Sequence, residues 1–333
     1  MAPLNPRQTK LLTPYASELL EEMRSRAGAA AVARAAHGRS NSFQGTEAGA
    51  RDNSMTRLDS HQHFWRYSAA EYPWISDRMG TLRRDFLPAD FKPLLNQAGF
   101  AGSIAVQARQ SLEETEWLLG LAAEHPFVRG VVGWVDLRAG DIRDQLARYS
   151  RRPGLVGVRH VVHDEPDDNF MLTPEFRSGI SALDEFGLTY DLLLFPRHLP
   201  VATRLVREFP AQSFVLDHIA KPAIARGETE PWGSDIRRLA ENPNVYCKLS
   251  GMVTEASWAD WRPDDFRGYL DVIASAFGTG RLMIGSDWPV CTVSGDFLST
   301  MRLVMGYLDS FPEAAREAVL GGNCATFYGI PGG

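Results

Sequence analysis

Cysteine is scarce in this sequence. The chain has three cysteines, Cys247, Cys291 and Cys324, and no Cys-X-X-Cys pair. An odd, sparse set of widely spaced cysteines excludes a disulfide scaffold and a cysteine-rich zinc site. It favours a reducing compartment, so we expect a cytoplasmic protein whose thiols are small core residues.

Long hydrophobic runs and an excess of positive charge are also lacking. No apolar stretch approaches the roughly 20 residues that a membrane-spanning helix needs, and no secretory signal is recognisable. The formal net charge is −6, so no basic surface favours nucleic acid or an anionic membrane. We therefore expect neither as a partner, and the composition does not specify an oligomeric state.

Residues 1–54 lack the apolar periodicity of a core element. Residues 14–37 are Ala-rich with a thin apolar face, and residues 38–54 are polar and rich in Gly and Ser, as in a flexible linker. We expect a disordered or weakly helical extension over 1–54 and one domain over 55–333. Met55 is an alternative start of the protein.

A chain that begins at Met55 is expected to keep its fold and activity, because residues 1–54 offer no periodic face to bury. Soluble yield, thermal midpoint and turnover of the two chains test this expectation. Loss of soluble, active protein on truncation would contradict it.

From residue 57 onward a short apolar strand followed by a helix is repeated eight times. The predicted strands read as continuous apolar runs, typical of a buried parallel sheet, and span 57–65, 102–107, 127–135, 154–159, 188–194, 213–216, 244–249 and 281–285. No Gly-X-Gly-X-X-Gly follows the first strand, which counts against a dinucleotide-binding fold. The pattern predicts an α/β fold, a (β/α)8 TIM barrel, closed by a helical tail over 312–328.

Two histidines, His61 and His63, lie two residues apart at the end of the first predicted strand. Because side chains alternate along a strand, both imidazoles should lean into one space. Neutral imidazole is a common metal ligand. The pattern alone is weak evidence, since two polar residues on an exposed strand face would look the same.

Further polar residues lie at or just past the ends of other predicted strands: Gln107, Arg159, His160, His198, His218, Lys248 and Asp287. The carboxyl ends of TIM-barrel strands form the active face, so we expect these side chains to converge. Lys248 has the alternative of pairing with a carboxylate inside the barrel, and Asp217 that of orienting its neighbours. His163, in an acidic loop, is expected to be solvated. The aromatic connection 64–87 favours an ordered lid.

The segment 55–330, which contains these residues, resembles the amidohydrolase-related (amidohydrolase 2) proteins. Within that family it is similar to sugar lactonases of the L-fuconolactonase and L-rhamnono-lactonase type. The motifs that carry the resemblance are LDSHQHFW at 58–65, EYPWI at 71–75, GVRH at 157–160, DLLLFPRHLP at 191–200, VLDHIAKP at 215–222, KLSG at 248–251 and IGSDWPV at 284–290. The resemblance implies a metal-assisted or metal-optional hydrolase that opens the cyclic ester of a sugar-acid lactone.

By position, the resemblance also implies a metal site. His61 and His63 match the first-strand pair, Asp287 the eighth-strand aspartate and His218 the sixth-strand histidine, and His198 lies near the fifth-strand histidine. We take His61, His63, His198 and Asp287 as predicted metal ligands.

The fourth strand departs from the pattern of binuclear relatives. It offers Arg159 and His160 in place of a bridging lysine or glutamate. We therefore expect at most one divalent cation, with zinc as the expected ion, and some similar lactonases dispense with metal.

Opening a lactone requires an activated water, a polarised carbonyl and a proton for the leaving alkoxide. Asp287 is the predicted general base, and His218 is expected to stabilise the oxyanion or help the proton transfer. The predicted substrate-binding residues, which would meet the hydroxyls or the ring of a sugar, are Gln107, Arg159, His160, Lys248, Trp65, Trp74 and Trp288.

Two other functions stay open at this level. A decarboxylase of the same superfamily would retain one zinc and would need a clamp for the carboxylate of its substrate. A catalytically inactive barrel would act as a binding protein. The sequence does not choose among fuconate, rhamnonate, galactonate or aromatic-pathway lactones.

Overall fold

The protein folds as the predicted (β/α)8 barrel in a computed structural model that describes residues 56–331. The predicted extension at 1–54 lies outside the described residues. The strands, numbered in chain order, are β1 (Leu58–Gln62), β2 (Gly102–Val106), β3 (Val128–Gly133), β4 (Leu155–His160), β5 (Thr189–Leu192), β6 (Phe214–Leu216), β7 (Val245–Leu249) and β8 (Leu282–Ile284). All neighbouring pairs from β1 to β8 are parallel.

The barrel closes through the residues that follow β8. The backbone N–H of Asp287 donates to the carbonyl of His61 at 2.8 Å, and that of His63 donates to the carbonyl of Trp288 at 2.7 Å. This closure places the carboxyl ends of the first and last strands side by side. It therefore brings a histidine pair and a carboxylate from opposite ends of the domain to one point.

One helix follows each strand, as predicted. The helices are α1 (Pro88–Gln97), α2 (Leu112–Glu124), α3 (Ile142–Tyr149), α4 (Pro174–Leu183), α5 (Leu199–Glu208), α6 (Trp232–Ala240), α7 (Pro263–Phe277) and α8 (Phe297–Leu308), with α9 (Glu313–Glu317) and α10 (Asn323–Tyr328) in the tail. Side-chain caps explain two helix starts: Ser111 accepts from the N–H of Glu114, and Asp296 from that of Ser299. No helix among the described residues is long and apolar enough to cross a membrane.

The tail packs against the barrel strands. Cys324, Phe327 and Tyr328 join Leu58 and Val215 in one apolar cluster. The hydroxyl of Tyr328 also donates to Asp191 Oδ2 of β5 at 2.9 Å. Burial of this apolar face accounts for the helical end of the chain.

The long connection 64–87 is ordered. Trp65 and Phe86 exchange two backbone hydrogen bonds of 3.0 and 2.9 Å, and a 3-10 helix spans Asp77–Leu82. The indole N–H of Trp65 donates to the carbonyl of Arg84 at 2.9 Å. The connection therefore forms a fixed wall beside the barrel mouth.

A buried carboxylate holds the loop that follows β2. Glu114 of α2 accepts the backbone N–H groups of Ala108 and Arg109, each at 2.9 Å, and the hydroxyl of Tyr72 at 3.1 Å. Burial raises the pKa of Glu114 to about 7, although these hydrogen bonds oppose the shift. The folded protein thus holds the proton of this carboxyl more tightly than the unfolded chain does.

Between pH 4.5 and about 7 the unfolded chain has lost the Glu114 proton while the folded protein retains it. The contribution of Glu114 to stability is therefore expected to fall as pH rises through this window. Glu114→Gln removes the titration. As pH rises from 4.5 to 8, the free energy of unfolding of the variant minus that of wild type should therefore increase by on the order of 3 kcal/mol. Urea denaturation at several pH values measures this, with exposed Glu124→Gln as the matched control. Parallel curves for wild type and Glu114→Gln would contradict the expectation.

Candidate functional site

A cavity of about 930 Å³ opens at the carboxyl ends of the strands. Its most buried lining residues, which form the floor, are His63, Arg159, His218 and Asp287. The walls come from the loops and include Trp74, Met79, Arg109, His163, Lys221, Glu255 and Trp258. Four of the polar strand-end residues that were predicted to converge, those of the floor, therefore line one pocket.

His61, which is fully buried and does not line the cavity, contacts His63 and Asp287 of this floor. The two Nε2 atoms of the histidines are 3.1 Å apart, and Asp287 Oδ1 is 3.2 Å from Nε2 of His63 and 3.9 Å from Nε2 of His61. Gly285 permits the approach of β8, because a Cβ there would lie 2.9 Å from the Cβ of His61. The structure thus brings together three of the four predicted metal ligands.

Hydrogen bonds determine which ring nitrogens face the site. His63 Nδ1 lies 2.8 Å from the carbonyl of Val106, which can only accept, so Nδ1 carries the proton and neutral His63 presents a bare Nε2. The two ring nitrogens of His61 each face a cation: Arg159 Nη1 lies 3.3 Å from Nε2, and the Lys248 ammonium lies 3.2 Å from Nδ1. Asp217 Oδ1 lies 3.3 Å from the same Nδ1. Burial holds the pKa of His61 well below its usual value, which keeps the ring neutral.

A buried ion network supports His61 from below. Asp217 Oδ2 accepts from Arg159 Nη1 at 3.0 Å, and Asp217 Oδ1 lies 3.0 Å from the Lys248 ammonium. Lys248 also pairs with Asp191 of β5. Asp217 therefore orients its neighbours, which was the alternative considered for it, and does not line the pocket.

His218 is held from two sides. Its Nδ1 lies 2.9 Å from Ser250 Oγ, and Nε2 lies 3.9 Å from Asp287 Oδ1. Gly251, with φ +59°, packs so closely that a Cβ there would lie 2.4 Å from Nδ1. Burial holds the pKa of His218 well below its usual value, so the ring is neutral near pH 7.

Asp287 is an ionised carboxylate in a nearly dry place. It is 2% exposed, and its backbone has φ 56°, a left-handed conformation rare for residues other than glycine. Burial alone would raise the pKa of Asp287, but the neighbouring His218 and His63 and the positive charge of Lys221 outweigh it, and the net shift is downward. An outlier backbone and an ionised buried carboxylate are both typical of functional sites.

The donor set at the floor fits a divalent cation. The two imidazoles and the carboxylate face one another, and their ligand atoms all lie within 4.8 Å of one another. His63 presents a bare Nε2 to this group, and nitrogen with oxygen ligands suits a transition-metal ion. His61, Asp217 and His218 form a second candidate group, but Asp217 is already paired with two cations.

The structure corrects the prediction for His198. Its Nδ1 accepts the backbone N–H of Phe195 at 3.1 Å, so Nε2 donates to Asp168 Oδ1 at 3.1 Å. Both ring nitrogens are occupied, and His198 belongs to neither candidate metal group. The 3-10 turn Pro196–His198 that follows β5 directs the ring away from the floor.

Three predicted substrate-binding residues do not line the pocket. Gln107 is fully buried against Arg159, and Lys248 takes its alternative role in the ion network beneath the floor. His160 accepts from the Trp134 indole, donates to Glu165 at 2.6 Å and stacks on Phe170. Arg159 does reach the pocket, as predicted.

Only one of the three predicted aromatic platforms faces the cavity. Trp74 lines it, with its indole N–H donated to the carbonyl of Ala108 at 3.1 Å. Trp65 is fully buried against Phe86, and Trp288 stacks on Phe91 with ring centroids 4.8 Å apart. Those two rings belong to the main apolar core.

Sequence reasoning missed several pocket residues that lie in loops. His163 lines the cavity, stacks on Phe195 with ring centroids 4.7 Å apart and is 15% exposed, so it is more enclosed than a fully solvated residue, and it belongs to neither candidate metal group. Lys221, Glu255 and Trp258 also line the cavity. Lys221 lies within the VLDHIAKP motif at 215–222, and this was the one feature of the sequence that could have indicated a pocket residue among the three.

Comparison with known proteins is consistent with this geometry. The Amidohydrolase family model matches residues 58–330. An L-fucono-1,5-lactonase of Burkholderia multivorans is 42% identical over 286 residues, covering 83% of this chain and 96% of the relative. An L-fucono-1,5-lactonase of Burkholderia ambifaria is 38% identical, covering 82% and 96%.

A solved amidohydrolase structure from Burkholderia multivorans, with bound zinc, superimposes with a TM-score of 0.79 and 42% identity. The match covers 83% of this chain and 100% of that one. Family model, sequence relatives and fold agree over the whole barrel. The chain belongs to the amidohydrolase family.

Proposed function

We propose that this protein hydrolyses a sugar-acid lactone of the L-fucono-1,5-lactone type. The observation that carries the proposal is the ionised carboxylate of Asp287 on the pocket floor, 3.2 Å from Nε2 of His63. The names of the two Burkholderia relatives support the same substrate class. The buried, unpaired thiols of all three cysteines support a cytoplasmic location.

Asp287 acts as general base in this proposal. It removes a proton from water as the water oxygen bonds to the lactone carbonyl carbon, and the C=O electron pair moves to oxygen. When the tetrahedral intermediate collapses, the ring C–O bond breaks, and protonated Asp287 returns the proton to the leaving alkoxide. His218, neutral and beside Asp287, stabilises the developing oxyanion by donating a hydrogen bond. The product is the open hydroxy acid, which loses its proton to solvent.

We propose that His61, His63 and Asp287 hold one divalent cation, zinc, when it is bound. Zinc would polarise the lactone carbonyl and acidify a bound water to a pKa of roughly 7. The hydrogen bond from His63 Nδ1 to Val106 keeps the Nε2 lone pair of His63 directed at the site. Arg159 Nη1 lies 3.3 Å from His61 Nε2, so the guanidinium would have to move away from that nitrogen for a cation to bind there.

The charge balance of the pocket favours a neutral polyhydroxy substrate. Among the described residues, each Arg and Lys lining the cavity pairs with a carboxylate: Arg109 with Glu71 at 2.6 Å, Arg159 with Asp217 at 3.0 Å and Lys221 with Glu255 at 3.4 Å. A decarboxylase has to balance the full negative charge of its substrate's carboxylate in the ground state, and these three pairs leave no uncompensated positive charge for it. Fixed charges and the exposed face of Trp74 are suited to sugar hydroxyls and a sugar ring.

A panel of aldonolactones in a pH-indicator assay tests the proposal, because hydrolysis releases acid. L-Fucono-1,5-lactone and its stereoisomers should be opened, and an aromatic carboxylic acid should yield no carbon dioxide. Binding of the lactones without acid release would favour a binding barrel, and carbon dioxide release would favour the decarboxylase.

A further inference from the structure

Four consecutive residues after β6 adopt a left-handed backbone. The φ angles of His218, Ile219, Ala220 and Lys221 are 54°, 49°, 61° and 50°. None of them is glycine, and a β-branched residue such as Ile219 is particularly disfavoured there. Such conformations persist where the surroundings over-determine them, and they cluster at functional sites.

Packing and hydrogen bonds hold this turn. Ile219 and Ala220 are fully buried in the core, and the indole N–H of Trp232 donates to the carbonyl of Ile219 at 2.7 Å. The N–H of Lys221 donates to the carbonyl of His218 at 2.8 Å. The hydrogen bond therefore joins residues i and i+3, as in one turn of a 3-10 helix.

A turn with this repeat places residues i and i+3 on the same side. While Ile219 and Ala220 enter the core, both His218 and Lys221 line the pocket. The strained backbone thus presents an imidazole and an ammonium to the cavity together.

The Lys221 side chain is oriented by the loop after β7. Its ammonium lies 3.4 Å from Glu255 Oε1, and the side chains of the two residues are 17% and 23% exposed. The hydroxyl of Thr254, which donates to the carbonyl of Gly251 at 2.7 Å, lies 3.3 Å from the same Oε1. Lys221 and Asp287 line the same cavity, so the ammonium and the proposed base face one bound substrate.

We propose that Lys221 is a further catalytic residue, whose ammonium contacts the lactone and stabilises the negative charge that develops on its carbonyl oxygen. Glu255 is the positioning residue for that ammonium. This inference rests on the proposed lactone hydrolysis. Because the stabilised charge exists only in the transition state, loss of Lys221 should lower kcat more than it raises KM.

The test compares variants of the full chain on the lactone that the wild type hydrolyses best. Lys221→Met is expected to lower kcat at least about tenfold, since one oxyanion donor contributes that much or more. Lys221→Arg should restore part of the loss, because it returns the charge at similar reach. Arg226→Met, which removes an exposed cation paired with Glu228 on the same connection, should leave kcat unchanged. Zinc content and thermal midpoint are measured for every variant.

A tenfold or greater loss of kcat in Lys221→Met, with zinc content retained and partial rescue by arginine, supports the proposal. A rise in KM at unchanged kcat overturns it and assigns Lys221 to ground-state binding. If Lys221→Met fails to fold, Lys221→Arg and Glu255→Gln decide: unchanged kcat in both overturns the proposal. Absence of lactone hydrolysis by the wild type would instead be a failure of the proposed function.

Discussion

Asp287→Asn is expected to lower kcat on the true lactone at least about a hundredfold, equivalent to about 3 kcal/mol of activation free energy. Asn is close to Asp in shape and keeps one oxygen, but it cannot accept the proton of water near neutral pH. Asn also tolerates the left-handed backbone that the structure shows at this position, with φ 56°. The thermal midpoint should therefore change little. Steady-state kinetics and melting of the same preparations measure both effects.

Asp164→Asn is the matched control, since Asp164 also lines the pocket but lies beside His163, with an N–O distance of 3.4 Å, away from the histidine pair. Its kcat is expected to stay near that of wild type. Near-normal turnover of Asp287→Asn would remove Asp287 as the base, and His218 would become the next candidate. Collapse of the fold in Asp287→Asn would support a structural role for this carboxylate.

His63→Gln is expected to weaken zinc binding at least about a hundredfold. Replacing even a residue that only hydrogen-bonds to a metal ligand typically lowers metal affinity tenfold to a hundredfold. Gln can still donate a hydrogen bond to Val106, so the fold should be retained. Wild type should hold about one zinc per chain, measured by elemental analysis and by competition with a chromophoric chelator. The expected stoichiometry follows from the single group formed by His61, His63 and Asp287.

His198→Gln is the informative control, since the sequence predicts it to be a ligand and the structure places both its nitrogens on other partners. Its zinc affinity should equal that of wild type. A comparable loss in His198→Gln would refute the ligand set proposed from the geometry. Two tightly bound zinc ions per chain would contradict the single site, and full activity without metal would place the enzyme among metal-free lactonases.

Local periodicity made the barrel and the centre of the site predictable. Apolar runs of strand length alternating with helices indicate a parallel α/β barrel, and its strands end at one rim. His61 and His63 converge because side chains two residues apart on a strand share a face. Asp287 joins them because β8 closes against β1. These relations depend only on chain order and strand geometry.

Depth along the barrel axis was not predictable in the same way. Gln107, Arg159 and Lys248 all follow strand patterns of similar appearance, yet only Arg159 reaches the pocket, while the other two are buried beneath its floor. The difference arises because the strands are staggered and the ion network around Asp217 occupies the interior. Neither the stagger nor that pairing has a signature in a single strand.

The sequence by itself determined the fold class, the family motifs and the meeting of His61, His63 and Asp287, because each follows from short-range patterns and the order of the strands. Only the tertiary structure decided the roles of His198, Trp288 and Lys221. Their positions depend on contacts between distant loops: Asp168 against His198, Phe91 against Trp288 and Glu255 against Lys221. Those contacts arise from packing across the barrel rim, where sequence separation carries no information about distance.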